Sequence, residues 1–240
     1  MTDKGEKLLK VLSEFTLEDA LRLEELDRQY RALERLHSAL GDNELFLKLV
    51  LVNALMSYQL PMRGERYWET FAGFFSEKKN LQRFEEFIRT YNNRFLSGKL
   101  RRLKRVLSLI ENLSGEHLVQ FCRNPEALLE YLSRGLKQPK DAKTLVFAVK
   151  MFIYACRIAT GKPIRAPFGI DIPLDVRLKK IADDLGFWRS LARRLGIPPL
   201  HLDALVWVTM GADKRFIENL PEELKEKVSN LKRTLKELVS

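Results

Sequence analysis

Apolar residues recur along this chain at spacings of three and four, and no stretch sustains the alternation of a half-buried strand. The expected fold class is therefore all-α. Lys7–Phe15 reads as a short amphipathic helix. Thr16 with Asp19 opens the next as a capping box, and Leu26, Tyr30, Leu33, Leu36 and Leu40 stripe one face of it. Asn43 opens an apolar core helix over Leu45–Gln59, interrupted by Lys48, before Pro61 and Gly64 break the chain. Tyr67, Trp68, Phe71 and Phe74 then read as core aromatics. Further helices are expected over Asn80–Phe95, Lys99–Asn112 and Gly115–Cys122, with Asn124-Pro125 capping Glu126–Arg134. Beyond residue 175 the spacing predicts helices over Val176–Leu185, Phe187–Leu195 and Leu200–Met210. Pro221 with Glu222 and Glu223 begins the last one.

The organising stretch lies between these halves. Gly135 is placed to close one helix as its C′ residue, and Pro139 with Asp141 opens another that runs to Thr160 and stops at Gly161. Lys143 falls in the first turn of that helix, the positive end, where a cation is disfavoured by about 0.3–1 kcal/mol. An amine so placed is a candidate nucleophile once burial adds to this effect. Phe147 and Lys150 follow at i+4 and i+7 on the same face. Further on, Pro173 keeps Ile172-Pro173-Leu174 extended and leaves Asp175 as the N-cap of the next helix. Taken singly, Lys143 is a solvated lysine and Asp175 a helix cap; together they suggest chemistry.

Charge narrows the partner. A formal net charge of +10 on a chain that still holds 32 acidic residues describes a basic surface rather than a basic tail. Nucleic acid is the first expected partner and a membrane surface the second. Lys99–Arg105 is the densest basic run, an ordinary solvated face that adds phosphate contacts if nucleic acid binds beside it. The loop from Lys162 to Pro173, stiffened by its prolines, carries Lys162 and Arg165 toward the expected site. Cys122 and Cys156 form no metal-ligand spacing and the histidines do not cluster, so no metal and no cofactor are expected. Each cysteine reads as a small buried hydrophobe. The first residues show no signal-peptide core, and the longest apolar helix is too short to span a bilayer, so a cytoplasmic protein without membrane contact is expected. Abundant Lys, Arg and Glu lean toward a thermophile.

Lys143-Thr144 after a helical hairpin, followed by Ile172-Pro173-Leu174-Asp175-Val176-Arg177, resembles the helix–hairpin–helix DNA glycosylase superfamily. In place of the usual Gly-x-Gly the hairpin has Gln138-Pro139-Lys140-Asp141, and the Lys-to-Asp separation is long. Those departures, with Thr144-Leu-Val-Phe147-Ala-Val-Lys150, resemble one branch, the archaeal 8-oxoguanine DNA glycosylases, from about Phe15 to Met210. The resemblance implies a two-lobed helical bundle with the active site in the cleft between lobes. The lobes are expected at 1–57 plus 153–240, carrying Asp175, and at 58–152, ending in the hairpin. It further implies a monomeric glycosylase/lyase acting on damaged DNA, double- or single-stranded. The implied roles give Lys143 the attack on C1′ and the Schiff base that leads to β-elimination. Asp175 stabilises positive charge on the sugar. Phe147 with Trp68 or Trp207 stacks on the base, and Gln29, Lys150 and Asp203 read its edge. By packing alone, Trp68 and Trp207 read as core residues, Gln29 as an exposed helix polar and Asp203 as a cap-proximal acid. Lys137 and Lys140 are expected on DNA phosphates. The competing readings are a glycosylase for another base and a basic DNA-binding protein without catalysis.

Overall fold

Residues 3–239 are described by a computed structural model; Met1, Thr2 and Ser240, at the ends of the expected lobes, lie outside them. Among the described residues the regular structure is helical throughout, with no strand. The chain starts with α1 (Asp3–Leu12) and α2 (Leu17–Leu26). It continues through α3 (Arg28–Leu40), α4 (Asn43–Met56), α5 (Gly64–Lys78), a single 3-10 turn (Leu81–Arg83), α6 (Phe84–Tyr91) and α7 (Leu96–Ile110). Then come α8 (Gly115–Arg123), α9 (Pro125–Leu136) and α10 (Lys143–Thr160), followed by α11 (Val176–Lys179), α12 (Leu185–Leu195), α13 (Pro199–Gly211), α14 (Lys214–Glu218) and α15 (Glu222–Val239). No helix among the described residues is long and apolar enough to cross a membrane.

The Thr16–Asp19 capping box forms in both directions and starts α2. The stripe expected to continue through Leu40 is instead cut at Asp27, whose extended backbone (φ −61°, ψ 134°) ends α2 and lets α3 begin at Arg28. The cut has a packing cause. The apolar face of α2 rests on α13, whereas that of α3 rests on α5, α10 and α4. Period alone joins the two helices because it cannot tell which core each one faces.

Two compact units result, one of residues 1–27 and 166–240, the other of residues 28–165. The sequence-based boundaries at 57/58 and 152/153 differ from these because α3, α4 and the whole of α10 pack with the hairpin helices. In the first unit α1 lies on α15 and α2 on α13, around Leu8, Leu12, Leu23, Trp188, Leu205 and Leu231. The expected helix over Val176–Leu185 shrinks to α11, because Asp184 accepts from the Gly186 and Phe187 amides at 3.0 Å each and starts α12 anew. In the second unit α10 is the central element, packed on α4, α9 and α3. It is buried from Leu145 through Arg157 except at Phe147.

Gly135 has a different job from the one expected. It lies inside α9, and Lys137 takes the left-handed cap conformation instead (φ 52°, ψ 48°). A Cβ on Gly135 would stand 2.6 Å from Leu109 Cδ1 of α7, so glycine is kept there by close helix packing. Helix α10 starts two residues later than expected, at Lys143, and Gly161 ends it in the left-handed region as expected.

The cysteines are joined rather than merely buried: Cys122 at the end of α8 bonds Cys156 in α10, with Cα atoms 5.6 Å apart. Their wide sequence separation hid the fact that the fold brings these two helices together. The bridge closes a loop holding α9 and the hairpin turn, and constraining a loop of that size in the unfolded chain stabilises by about 3–4 kcal/mol. Reduction or Cys122→Ser is expected to lower the melting temperature by about 10 °C in scanning calorimetry. An unchanged melting temperature would show that the bridge adds nothing.

Lys99, placed by sequence in a solvated basic face, is inside: it is 1% exposed, on the stripe completed by Leu103, Val106 and Ile110. Its ammonium donates to Gln59 O and Asn92 O, each at 3.2 Å, and to Asn92 Oδ1. Burial, and secondarily the positive charge of Arg94, lowers its pKa to about 8. The unfolded chain keeps that proton up to the ordinary lysine value, so between about pH 8 and 10.5 unfolding takes up a proton and this group makes stability rise with pH. The slope reaches about 1.4 kcal/mol per pH unit. Lys99→Met is expected to flatten that segment of the stability–pH curve relative to the wild type. An identical slope in both would mean Lys99 titrates normally.

Candidate active site

The start of α10 is open. Its N-cap, Ala142, has no side-chain cap, and the first amide to bond back to Ala142 O is that of Leu145, at 2.9 Å. The amides of Lys143 and Thr144 ahead of it make no hydrogen bond among the described residues. Lys143 is exposed rather than buried, and its Nζ forms no hydrogen bond or ion pair among the described residues. A free amine thus stands beside two free N–H groups at the positive end of an 18-residue helix.

Arg102 holds this end in place. Its guanidinium donates to Leu55 O at 3.1 Å, to Gln138 Oε1 of the hairpin turn at 3.0 Å and to Thr144 Oγ1 at 3.4 Å. Sequence reasoning placed Arg102 in a solvated basic face; tertiary structure makes it a clamp joining α4, the turn and α10. Lys137 is exposed and its side chain makes no ion pair among the described residues. Lys140 pairs with Glu130, which also takes Arg134 at 2.6 Å. The Lys140 hydrogen bond is the main reason the Glu130 carboxyl lies below its usual range.

Phe147 and Lys150 follow Lys143 along α10. Phe147, the half-buried position in a buried run, has its ring 6.2 Å from that of Trp68, at 66°. Trp68 is buried against Phe71 at 5.4 Å. Lys150 is buried, with Nζ 5.7 Å from the centre of the Tyr154 ring. Tyr154 in turn meets Tyr30 at 5.3 Å, beside Gln29. Gln29 is buried, not the exposed polar that its helix position alone suggested. Lys143, Phe147 and Lys150 therefore rise in successive turns of α10, with Trp68 against Phe147.

Asp175 belongs to the first unit. Asp175 caps α11 with one oxygen, Oδ1, accepting from the amides of Arg177 and Leu178 at 2.9 Å each. Oδ2 makes no hydrogen bond or ion pair among the described residues. The Arg177 guanidinium lies 4.7 Å over the ring of Trp207, which is half-buried. Asp203, one turn earlier on α13, is buried. The order Asp175–Arg177 was legible in sequence, but the cation–π contact with Trp207 was not, because it joins residues 30 apart. No group of three or more His, Cys, Asp or Glu among the described residues could hold a metal ion.

The accessible amine at the start of α10, in one unit, and the carboxylate with a spare oxygen, in the other, are each a kind of group that glycosylases with lyase chemistry use. The model of the family AGOG: N-glycosylase/DNA lyase matches residues 9–239. An N-glycosylase/DNA lyase of Nanoarchaeum equitans is 42% identical over 93% of this chain and 98% of its own length. The one of Thermococcus kodakarensis is 39% identical over 91% and 88%. In structure, the 8-oxoguanine DNA glycosylase Pa-AGOG of Pyrobaculum aerophilum, crystallised with 8-oxoguanosine, superposes with a TM-score of 0.78 at 27% identity, covering 95% of this chain and 96% of that one. The chain belongs to the AGOG family of N-glycosylase/DNA lyases.

Proposed function

We propose that this N-glycosylase/DNA lyase excises 8-oxoguanine from DNA, with Lys143 as nucleophile and Asp175 as the assisting carboxylate on the same nucleotide. The observation that carries the assignment is the open start of α10: an unpaired lysine amine beside two unpaired amides, on a helix otherwise packed into the core. The base must leave the stack to be reached, at a cost of a few kcal/mol. Phe147 and Trp68 receive its ring, with Trp207 a further stacking surface, and Gln29, Lys150 and Asp203 read its edge. The Lys143 amine bonds C1′ as the base leaves. Asp175, through its spare Oδ2, stabilises the positive charge that develops on the sugar. The sugar ring then opens, the C1′–O4′ bond breaking as O4′ takes a proton, to give the Schiff base, whose protonated nitrogen draws the electrons of β-elimination and cuts the strand 3′ to the lesion.

Lys137 meets DNA phosphates directly, and Lys140 does so by exchanging Glu130 for phosphate. We read the enzyme as a monomer whose two units form one catalytic entity on double- or single-stranded DNA. Its place of work is the cytoplasm, where intracellular disulfides are known from hyperthermophilic archaea.

The test is excision and borohydride trapping on oligonucleotides that differ in a single damaged base. Substantial turnover is expected on 8-oxoguanine and little on the others; equal rates on several lesions would give the enzyme a different substrate. Trp207→Ala tests the pocket. It is expected to weaken lesion DNA by about 1–3 kcal/mol and leave undamaged duplex binding unchanged. Parallel losses would make Trp207 a packing residue only.

A further inference from the structure

Glu24 of α2 and His201 of α13 are both buried, and the chemistry above uses neither. Glu24 Oε1 lies 2.7 Å from His201 Nδ1, and the backbone N–H of Ala166 donates to His201 Nε2 at 2.8 Å. An amide can only donate, so Nε2 carries no hydrogen. The neutral ring then keeps its proton on Nδ1 and donates it to Glu24. The pair has ion-pair spacing, but it is a hydrogen bond from a neutral imidazole whose tautomer is fixed from both sides.

The bond matters because of where Ala166 stands. Residues 166–174 form a strap with no helix or strand and a single turn at Phe168–Gly169. Its position depends on other anchors. Ile170 and Ile172 are buried, Asp171 is held by Arg189 at 2.6 and 2.7 Å, and the Ala166 amide is held by His201. The strap ends at Asp175. At the other side of the bond, His201 precedes Asp203 by two residues on α13. One imidazole therefore ties the segment that presents the carboxylate to the helix that carries Asp203 and Trp207.

We propose that His201, with its tautomer set by Glu24, is a positioning residue for base excision: it keeps the Asp175 strap in register with α13. The proposal rests on the assignment of Asp175 given above. Two substitutions separate the bonds. In His201→Asn the amide reaches the Nδ1 position, so Glu24 stays partnered and the bond to Ala166 is lost. In His201→Gln the amide reaches the Nε2 position and can still accept from Ala166.

The experiment measures single-turnover excision from 8-oxoguanine duplex and borohydride trapping on a pre-made abasic site, in the wild-type and Asp175→Asn backgrounds. His201→Asn is expected to slow excision about tenfold and trapping less than about threefold, with His201→Gln restoring excision to within about threefold of wild type. In the Asp175→Asn background His201→Asn should add less than about twofold, since the carboxylate it positions is already gone. Equal falls in excision and trapping overturn the proposal, and so does a full tenfold penalty that persists without Asp175. Should His201→Asn fail to fold, Ala166→Pro removes the donor from the other side and enters the same cycle with the same two overturning results. If Asp175→Asn alone excises at the wild-type rate, the catalytic reading falls and this proposal with it. A defective Asp175→Asn that shows no coupling to His201 removes the proposal alone.

Discussion

Lys143→Gln is expected to lose both strand cleavage and the borohydride-trappable adduct, to the limit of detection, while still binding lesion DNA. Glutamine keeps the polarity and most of the length of lysine but has no amine, so neither the bond to C1′ nor the Schiff base can form. The structure also makes this a clean substitution. Lys143 is exposed and its side chain partners nothing among the described residues, so its removal leaves no buried group unsatisfied. Stability should change by no more than about 0.5 kcal/mol. Affinity for lesion DNA, measured by fluorescence anisotropy, should fall only by the loss of one positive charge near the phosphates. An adduct that persists in Lys143→Gln would assign the nucleophile elsewhere, and Lys140, exposed in the preceding turn, would be the next to remove.

Asp175→Asn is expected to fail differently. Both capping bonds of Asp175 go to one oxygen, which an asparagine amide oxygen reproduces, so α11 should remain capped and the strap in place. What changes is the other position: an anionic oxygen becomes a neutral NH₂ that offers hydrogens where positive charge develops. Excision should fall at least about 100-fold, the usual effect of one lost electrostatic or acid–base group. Trapping on a pre-made abasic site needs no base departure and should suffer much less. Asp175→Ala serves as the contrast, because it removes charge and cap together and should also lose about 1 kcal/mol of stability. If Asp175→Asn slowed excision and trapping by the same factor, the carboxylate would act after base release and not during it.

What sequence determined here was whatever depends on neighbours within a turn or two. The capping box at Thr16, Pro125 at the head of α9, the stop at Gly161 and the cap at Asp175 are local hydrogen-bonding and dihedral preferences. Lys143, Phe147 and Lys150 share a face because of helical period alone. That much was enough to show an all-α chain and to single out the stretch proposed to carry its chemistry.

Tertiary structure decided which of several locally equivalent residues face inward and which elements meet. Lys99 and Lys104 both stand in one basic run, yet Lys99 is sealed against Gln59 and Asn92 while Lys104 is exposed. Gly135 looked like a helix stop and is a contact point for Leu109, a residue distant in sequence. Cys122 met Cys156, Arg177 met Trp207, and Glu24 met His201 across separations no local pattern encodes. The split at Asp27 has the same origin. A stripe of leucines records that a helix has a buried face, but only the packed partners, α13 for one half and α5 with α10 for the other, determine that it must be two helices.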